Sequence, residues 1–146
     1  MIESPLVIIA DINILLPLLF GQTRRARFLR NAWKGLAFQL AITPQILEEL
    51  NRVVTYPKVL SNFELDTTNV EQALQILQGL AIVLPGDYSD VDVISEDPSD
   101  NIYLAAALES GADYLVTQDH HILNLKYFYG TQIISLAQFV RMLGEN

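Results

Sequence analysis

The segment Val7-Ile8-Ile9-Ala10-Asp11-Ile12-Asn13-Ile14-Leu15, near the beginning of the chain, indicates the fold class. Its first four residues form a continuous apolar run, which is typical of a strand buried on both faces of a parallel sheet. An aspartate follows the run directly, and a carboxylate in such a place is costly to bury without a partner or ligand. The segment therefore predicts a central strand that ends in a functional acid, Asp11.

Short apolar runs alternate with helical periodicity along the rest of the chain. Four further strands are predicted, at Phe38–Ile42, Ala81–Leu84, Tyr114–Val116 and Gln132–Ile134. Segments with apolar residues at helical spacing separate these strands. The alternation predicts a three-layer α/β/α sandwich around a central, mainly parallel sheet. The length of 146 residues fits one domain, with bounds 1–146.

Local signals predict where several helices begin and end. Thr43 precedes Pro44, a combination typical of a helix N-cap followed by proline at the first helical position. The segments Thr68–Glu71 and Ser135–Gln138 both have the capping-box pattern. Pro57 predicts an end or a break in the helix that starts at Pro44.

Composition restricts the class of protein. Hydrophobic residues make up 51% of the chain and charged residues 18%, which favours a packed core over disorder. The mean hydropathy of +0.27 is high for so short a chain, so we expect part of the apolar surface to be covered in a homodimer. No apolar run approaches the roughly 18 residues that a membrane span needs, and the first residues lack a basic segment. Without cysteine there are no disulfides or thiolate metal sites, and a cytoplasmic location is expected.

The charge of the chain is unevenly distributed. A net charge of −8 argues against a nucleic-acid partner, because such proteins are usually basic. Five of the nine basic residues nevertheless lie in one stretch: Arg24, Arg25, Arg27, Arg30 and Lys34. The stretch is either a solvated helix face or a patch that contacts phosphates, and we keep both interpretations.

Four acids are predicted near one edge of the sheet. Asp11 follows the first strand, and Asp119 follows the fourth. Glu49 lies on the helix after the second strand, and Asp100 lies near the start of the helix before the fourth. Ligands of open parallel sheets bind at the carboxyl ends of the strands, so we expect these side chains to approach one another.

Carboxylates brought together in this way need a compensating charge. A pair of unit charges at 4 Å repels by roughly 4 kcal/mol at an effective dielectric near 20. A hard divalent cation with oxygen ligands relieves this repulsion. Bound Mg²⁺ or Mn²⁺ can activate water and stabilise the charge that develops in phosphodiester hydrolysis.

Each acid also has an ordinary structural interpretation. Asp97 and Asp100 are placed to serve as the N-cap and N3 acid of a helix. Glu49 stands beside Glu48 on a polar helix face, and Asp119 is placed to cap a turn. Asn13 is placed to cap the helix that begins near Ile14. Asp11 has the weakest structural explanation, which favours a functional role for it.

Several motifs together resemble the PIN-domain family. Val7–Leu15 is similar to the family's opening Asp-Thr-Asn signature, and Thr43–Leu50 is similar to the segment that carries its second acid. Asp97–Asn101, Leu104–Leu108 and Gly111–Asp119 resemble its most recognisable stretch. No single motif is specific, but their order along the whole chain is.

The resemblance extends from about Leu6 to Leu143 and is strongest to toxins of prokaryotic toxin–antitoxin pairs. It implies a metal-dependent ribonuclease that prefers single-stranded RNA. It also implies one or two Mg²⁺ or Mn²⁺ ions bound by the catalytic acids Asp11, Glu49, Asp100 and Asp119. Asn13 and Thr117 would orient these ligands or water, and Asp97 would be an auxiliary acid. If the basic stretch is a patch that contacts phosphates, Arg24, Arg25 and Arg27 would bind the RNA. A cognate antitoxin would cover or insert into the acidic cleft, with an arginine that meets the carboxylates.

The chain departs from the family signature at Ile12, where threonine is usual. Loss of that hydroxyl leaves open a second interpretation, a non-catalytic module that keeps the fold and binds RNA or a protein. His120 and His121 stand where the family often has charged residues, and we expect them to be exposed. A haloacid-dehalogenase-like phosphatase is disfavoured because it needs a second acid where Asn13 stands. A receiver domain is disfavoured because it needs paired acids before its first-strand loop and a lysine after a late strand. Here Asp119 stands in a Thr-x-Asp context instead.

Overall fold

A sheet of six strands forms the centre of the computed structural model, which describes residues 5–88, 90–93 and 98–144. The order across the sheet is β3-β2-β1-β4-β6-β5. The strands are β1 (Leu6–Ala10), β2 (Phe38–Ile42), β3 (Ile82–Val83), β4 (Tyr114–Val116), β5 (Tyr127–Phe128) and β6 (Thr131–Ile134). Asp97, the predicted auxiliary acid, lies outside the described residues.

The sheet is mainly parallel, as the sequence predicts. β1 pairs in parallel with β2 on one side and with β4 on the other. β3 and β6 extend the parallel part, and only the pairing of β5 with β6 is antiparallel among the described strands. The five predicted strands are confirmed. β5 was not predicted, because two residues are too few to show an alternating pattern.

Helices connect the strands and cover the sheet. They are α1 (Ile12–Phe20), α2 (Arg24–Lys34), α3 (Pro44–Val53), α4 (Pro57–Asn62), α5 (Thr67–Leu80), α6 (Asn101–Ser110), α7 (His120–Leu123) and α8 (Leu136–Met142). A 3₁₀ turn at Pro98–Asp100 leads into α6. The fold is thus α/β, with a mixed sheet flanked by helices. Within the described ranges, no helix is both long and apolar enough to cross a bilayer.

Of the predicted caps at Thr43, Thr68 and Ser135, two are confirmed and one is wrong. The Thr43 hydroxyl caps α3, and Ser135 with Gln138 forms the capping box of α8. The box of α5 consists of Asp66 and Asn69 instead of Thr68 and Glu71. Aspartate is at least as good an N-cap as threonine, and its charge interacts favourably with the helix dipole. The helix therefore begins after Asp66, the earlier of the two possible N-caps.

The central strands and the helices beside them form the core. Ile9 and Leu40 on β1 and β2 are completely buried, and so is Leu115 on β4. The rings of Phe38 and Phe139 meet edge to face at 5.0 Å between centroids, a favourable geometry for buried aromatic rings. Side chains in a close-packed interior resist displacement, because there is little free volume for them to move into. The core therefore holds the carboxyl ends of β1 and β4 in fixed positions.

The predicted basic stretch has two parts with different environments. Arg30 is half-buried, and its guanidinium donates a hydrogen bond to the carbonyl oxygen of Gly21 at 3.1 Å. Gly21 is the C-cap of α1, so Arg30 satisfies a carbonyl group at the end of that helix. Arg24, Arg25, Arg27 and Lys34 on α2 are exposed. The stretch is therefore mainly a surface feature, and Arg30 is its structural member.

Candidate active site

The site lies where the direction of the chain across the sheet reverses. From β1 the chain moves to β2 on one side, and it later returns to β4 on the other side. Clefts outside the carboxyl ends of strands at such a reversal are the usual ligand sites of open parallel sheets. Asp11 follows β1, and Thr117 follows β4. The Asp11 amide donates to the Val116 carbonyl oxygen at 3.3 Å, which holds the two strand ends together.

Asp11 is buried, with 3% of its surface exposed. Its Oδ1 accepts a hydrogen bond from the Ile14 amide at 3.2 Å, so it caps α1. Its Oδ2 accepts one from the hydroxyl of Thr117, which is completely buried. No cationic side chain in the described part of the chain forms an ion pair with Asp11. The carboxylate is therefore hydrogen-bonded but electrically uncompensated.

Burial raises the pKa of Asp11 to about 6, from an ordinary value of 3.8. The hydrogen bonds from Thr117 and from backbone amides lower this pKa, and the negative charge of Asp119 raises it. Burial outweighs hydrogen bonding because a buried charge loses more hydration than these donors replace. The effect of Asp119 also shows that the two predicted strand-end acids lie near each other.

Asp119 has a structural role as well as a place near Asp11. Its Oδ1 accepts a hydrogen bond from the His121 amide at 2.8 Å and caps the short helix α7. Its own amide donates to the Thr117 hydroxyl oxygen at 2.9 Å. The interpretation of Asp119 as a turn cap is therefore correct, and it does not exclude a functional role. The Thr117 hydroxyl therefore links the carboxylate of Asp11 to the main chain of Asp119.

Asp100 is 9% exposed and occupies the N-cap position of α6. Its backbone is helical, and the 3₁₀ turn Pro98–Asp100 leads directly into α6, which agrees with the predicted place of Asp100 in the first turn of the helix. Tyr103 lies one turn later on the same helix and is 2% exposed. Burial raises the pKa of Tyr103 first of all, followed by the negative charges of Glu49, Asp11 and Asp100. Three of the predicted acids thus lie within electrostatic reach of one buried phenol.

Glu49 is the more enclosed of the two neighbouring glutamates. Its side chain is 16% exposed and forms an ion pair with Arg52, three residues later on α3. Glu48 is exposed to solvent. Glu49 is thus the glutamate that faces the acidic region, although Arg52 neutralises it at the rim.

The sequence profile of the PIN domain matches residues 7–121. That range covers most of the chain and includes all four acids. This chain belongs to the PIN-domain family. PIN domains are generally nucleases, so the acidic region at the reversal of the sheet belongs to a nuclease-type domain.

Two solved structures show the same fold at low sequence identity. VapBC2 from Rickettsia felis, bound to a DNA fragment from its promoter, is 15% identical with a TM-score of 0.57. The alignment covers 89% of this chain and 98% of that one. The RRP44 PIN domain of T. brucei is 14% identical with a TM-score of 0.52, over 96% of this chain and 82% of that one. The search of curated protein sequences returned no match.

The acidic region of this PIN domain fits a divalent cation that keeps part of its water shell better than a cation bound by protein ligands alone. Among the described residues, no three Asp, Glu or His side chains lie close enough together to hold a metal ion directly. Mg²⁺, however, retains several water molecules and commonly binds only one or two carboxylates. Asp11 is a buried oxygen donor without a cation, and Asp119 lies nearby. This donor set suits a hard cation that completes its coordination with water.

The remaining predicted residues lie around this region in different ways. Asn13 is exposed in the first turn of α1 and does not cap the helix, because Asp11 does so. The rings of His120 and His121 are 4.3 Å apart between centroids; His120 is exposed and His121 half-buried. Tyr103 was missed by the sequence analysis because it lies within the apolar pattern of α6. Its position one turn after Asp100 was the signal that pointed to it.

Proposed function

We propose that this PIN domain is a Mg²⁺- or Mn²⁺-dependent endoribonuclease that hydrolyses single-stranded RNA, with residues 1–146 acting as one nuclease domain. The observation that carries the proposal is the buried, uncompensated carboxylate of Asp11 beside Asp119. Asp11 also caps α1, but an uncharged asparagine would be an equally good cap, whereas buried acids with a shifted pKa concentrate at functional sites. The site of a metal-dependent nuclease gives the charge a use.

In the proposed site, the catalytic acids are Asp11, Glu49, Asp100 and Asp119, which hold the metal either directly or through the water molecules that it retains. When bound, the metal supplies activation of water and stabilisation of the charge on the scissile phosphate. Thr117 orients Asp11 through its hydroxyl group, which fixes the direction of the carboxylate lone pairs. Asn13 is exposed at the start of α1 and is available there to contact ligand or water.

We further propose that the protein is the toxin of a toxin–antitoxin pair and forms a homodimer. The likeness in fold to VapBC2 supports a comparable partner for this chain. A region with several acids and one buried charge is suited to an arginine from that partner, because guanidinium groups bind carboxylates with two hydrogen bonds. Exposed apolar side chains such as Tyr127 and Tyr129, which are 63% and 67% exposed, support contact with a second copy.

Two observations favour a second candidate, a non-catalytic PIN module that binds RNA or protein. Arg52 neutralises Glu49, and Ile12 replaces the usual threonine next to Asp11. Both features would stabilise a protein that binds no metal. The nuclease proposal is preferred because Asp11, the most buried of the acids, has no such cation.

Cleavage of RNA distinguishes the two candidates. The wild-type protein should cut a single-stranded oligoribonucleotide with Mg²⁺ or Mn²⁺ and should stop when EDTA is added. Asp11→Asn should reduce the rate by at least about 10²-fold, as expected for loss of a charged group in an active site. Glu48→Gln is the matched control, because it removes an exposed charge next to Glu49. A folded wild-type protein that cuts no RNA would establish the binding module instead.

The exposed arginines of α2 are expected to bind RNA at a distance from the acids. α1 has nine residues, or about 13 Å, between Asp11 and this part of the chain. In the Asp11→Asn background, replacement of Arg24, Arg25 and Arg27 by Gln should weaken single-stranded RNA binding, measured by fluorescence anisotropy. The slope of log affinity against log salt should fall by about 2, since each phosphate contact contributes about 0.7.

A control with the same change in net charge separates specific contacts from general attraction. Lys58, Lys126 and Arg141 are also exposed but lie outside α2. Their replacement by Gln should leave the salt slope nearly unchanged. Equal slopes for the two triple variants would assign the arginines of α2 to an ordinary solvated face.

A further inference from the structure

A pocket of about 530 Å³ lies beside the loop that follows β3. Its walls come from the start of α3, from this loop at residues 86, 88 and 90–92, and from one side of α6. Pockets of this size are typical of small-molecule sites. None of the four predicted acids lines it, so it is separate from the candidate active site.

Hydrogen bonds hold the walls of the pocket together. Glu109 on α6 accepts one from the Gly86 amide and one from the amide of the following residue, both at 3.0 Å. Gln45 on α3 donates through Nε2 to the Gly86 carbonyl oxygen at 2.9 Å. Asn101, at the start of α6, accepts from the Val93 amide at 3.0 Å. The described parts of the loop are thus tied to both helices, so the pocket does not need a ligand to form it.

The contact between Gly86 and Gln45 leaves one acceptor of the lining without a partner. Gly86 has a φ of +79°, and a Cβ atom added there would overlap with Gln45 Oε1, so only glycine fits. The Gly86 carbonyl oxygen can only accept, and the Gln45 amide must therefore turn its nitrogen toward it. Oε1 is then buried and has no hydrogen-bond partner among the described residues. A donor that enters the pocket would supply one.

The charged groups of the pocket are also hydrogen-bond acceptors. They are the carboxylates of Asp90, Asp92 and Glu109. Asp90 and Asp92 are exposed at the rim, and Glu109 is half-buried. Within the described ranges, no Lys or Arg side chain forms an ion pair with any of the three. Phosphate and carboxylate ligands are therefore repelled, and a cation with N–H donors is attracted.

Apolar side chains lie between these carboxylates. Val91 stands between the two rim aspartates. Ile102 and Ala105 line the side of α6 that carries Glu109. Tyr88 adds an aromatic ring, whose face attracts cations. Methylene chains pack on apolar surface while their charged ends reach polar groups, so the lining suits a ligand whose cationic groups are separated by methylene segments.

We propose that this pocket binds a linear aliphatic polyamine, independently of the metal site. The ammonium groups meet the carboxylates of Asp90, Asp92 and Glu109, and the methylene segments lie on Ile102 and Ala105. An arginine side chain of a partner protein brings only one cationic group and leaves the other carboxylates unmatched. A nucleotide of RNA brings a phosphate among these carboxylates, and a metal ion makes no use of the apolar walls.

The test is spermidine binding, measured by calorimetry in EDTA and about 0.1 M salt, where charges farther apart than about 10 Å are largely screened. The wild type should bind one spermidine per chain. The double variant Asp90→Asn/Asp92→Asn should bind it about 10-fold more weakly, because two ion pairs at the rim are lost. Glu64→Gln/Glu71→Gln is the matched control, since it removes two exposed charges outside the pocket. It should change the affinity less than about 2-fold.

Ala105→Leu tests the apolar wall. Ala105 is half-buried in the lining, and a larger side chain there occupies the space that the methylene segments need. Spermidine should bind at least about 10-fold more weakly, while circular dichroism shows a folded protein. The rim variant changes only exposed side chains, so it tests the proposal even if Ala105→Leu does not fold.

Several results would overturn the proposal. Spermidine binding weaker than about 1 mM would do so, and so would equal losses in the two double variants. Loss of binding in Asp11→Asn would place the cation at the metal site instead. Tighter binding of N-acetylarginine amide would assign the pocket to a protein side chain, and tighter binding of adenosine would assign it to a base. Because no metal or RNA is present, a failure of the proposed nuclease function would leave this test unaffected.

Discussion

Asp11→Asn is expected to raise the free energy of unfolding in EDTA at pH 7.5 by about 1–3 kcal/mol, although it removes the central acid of the site. The fold raises the pKa of Asp11 from 3.8 to about 6, and each pKa unit corresponds to about 1.4 kcal/mol. The charged carboxylate therefore costs up to about 3 kcal/mol of stability. Asparagine has the same shape without the charge, and its oxygen can still accept one of the two hydrogen bonds.

The gain from Asp11→Asn should depend on pH in a defined direction. Because the folded state has the higher pKa, it binds a proton more readily than the unfolded chain between pH 3.8 and about 6. The wild type is therefore stabilised as the pH falls through this interval. The advantage of the variant should be complete above about pH 6.5 and absent below about pH 3.8.

Urea unfolding at pH 7.5 and at pH 4 measures this prediction. Asp87→Asn is the control, because Asp87 is exposed and its replacement should change stability by less than about 0.5 kcal/mol. Saturating Mn²⁺ should reverse the order of wild type and Asp11→Asn, since only the wild type gains binding energy from the metal. A variant that is less stable than the wild type in EDTA at pH 7.5 would show that Asp11 supports the fold.

Thr117→Val is expected to reduce both stability and RNA cleavage. The Thr117 hydroxyl donates to Asp11 and accepts from the Asp119 amide, and valine preserves the shape while it removes both hydrogen bonds. A hydrogen bond to a charged group contributes about 1.5–3 kcal/mol, so unfolding should require about 2–3 kcal/mol less. Cleavage should fall about 10–100-fold, because Asp11 is no longer held in one orientation.

Thr117→Ser is the matched control, because it keeps the hydroxyl and loses one methyl group. It should cost about 1 kcal/mol and leave cleavage within a few-fold of the wild type. The stability cost of Thr117→Val should also shrink in the Asp11→Asn background, since the hydroxyl no longer serves a charge there. Equal cleavage by Thr117→Val and Thr117→Ser would remove Thr117 from the site.

Local interactions made much of the fold predictable. An apolar run predicts a buried strand wherever it lies, which is why β1, β2 and β4 were located from their own residues. Helix caps are local as well, but neighbouring signals compete, and so Asp66 capped α5 in place of Thr68. Arg24 is exposed, whereas Arg30 is half-buried and hydrogen-bonded to Gly21. The sequence could not distinguish them, because both are arginines on the same helix. Their difference depends on the turn that brings Gly21 beside α2.

By itself the sequence determined the fold class and predicted that Asp11 would be costly to bury, because the carboxylate directly follows a continuous apolar run. It did not determine how the acids meet. Only the tertiary structure brought Asp119 near Asp11, through the Thr117 hydroxyl that contacts both residues. The electrostatic energy of a charge depends on distances and on lost hydration, and both are set by packing between residues far apart in the chain.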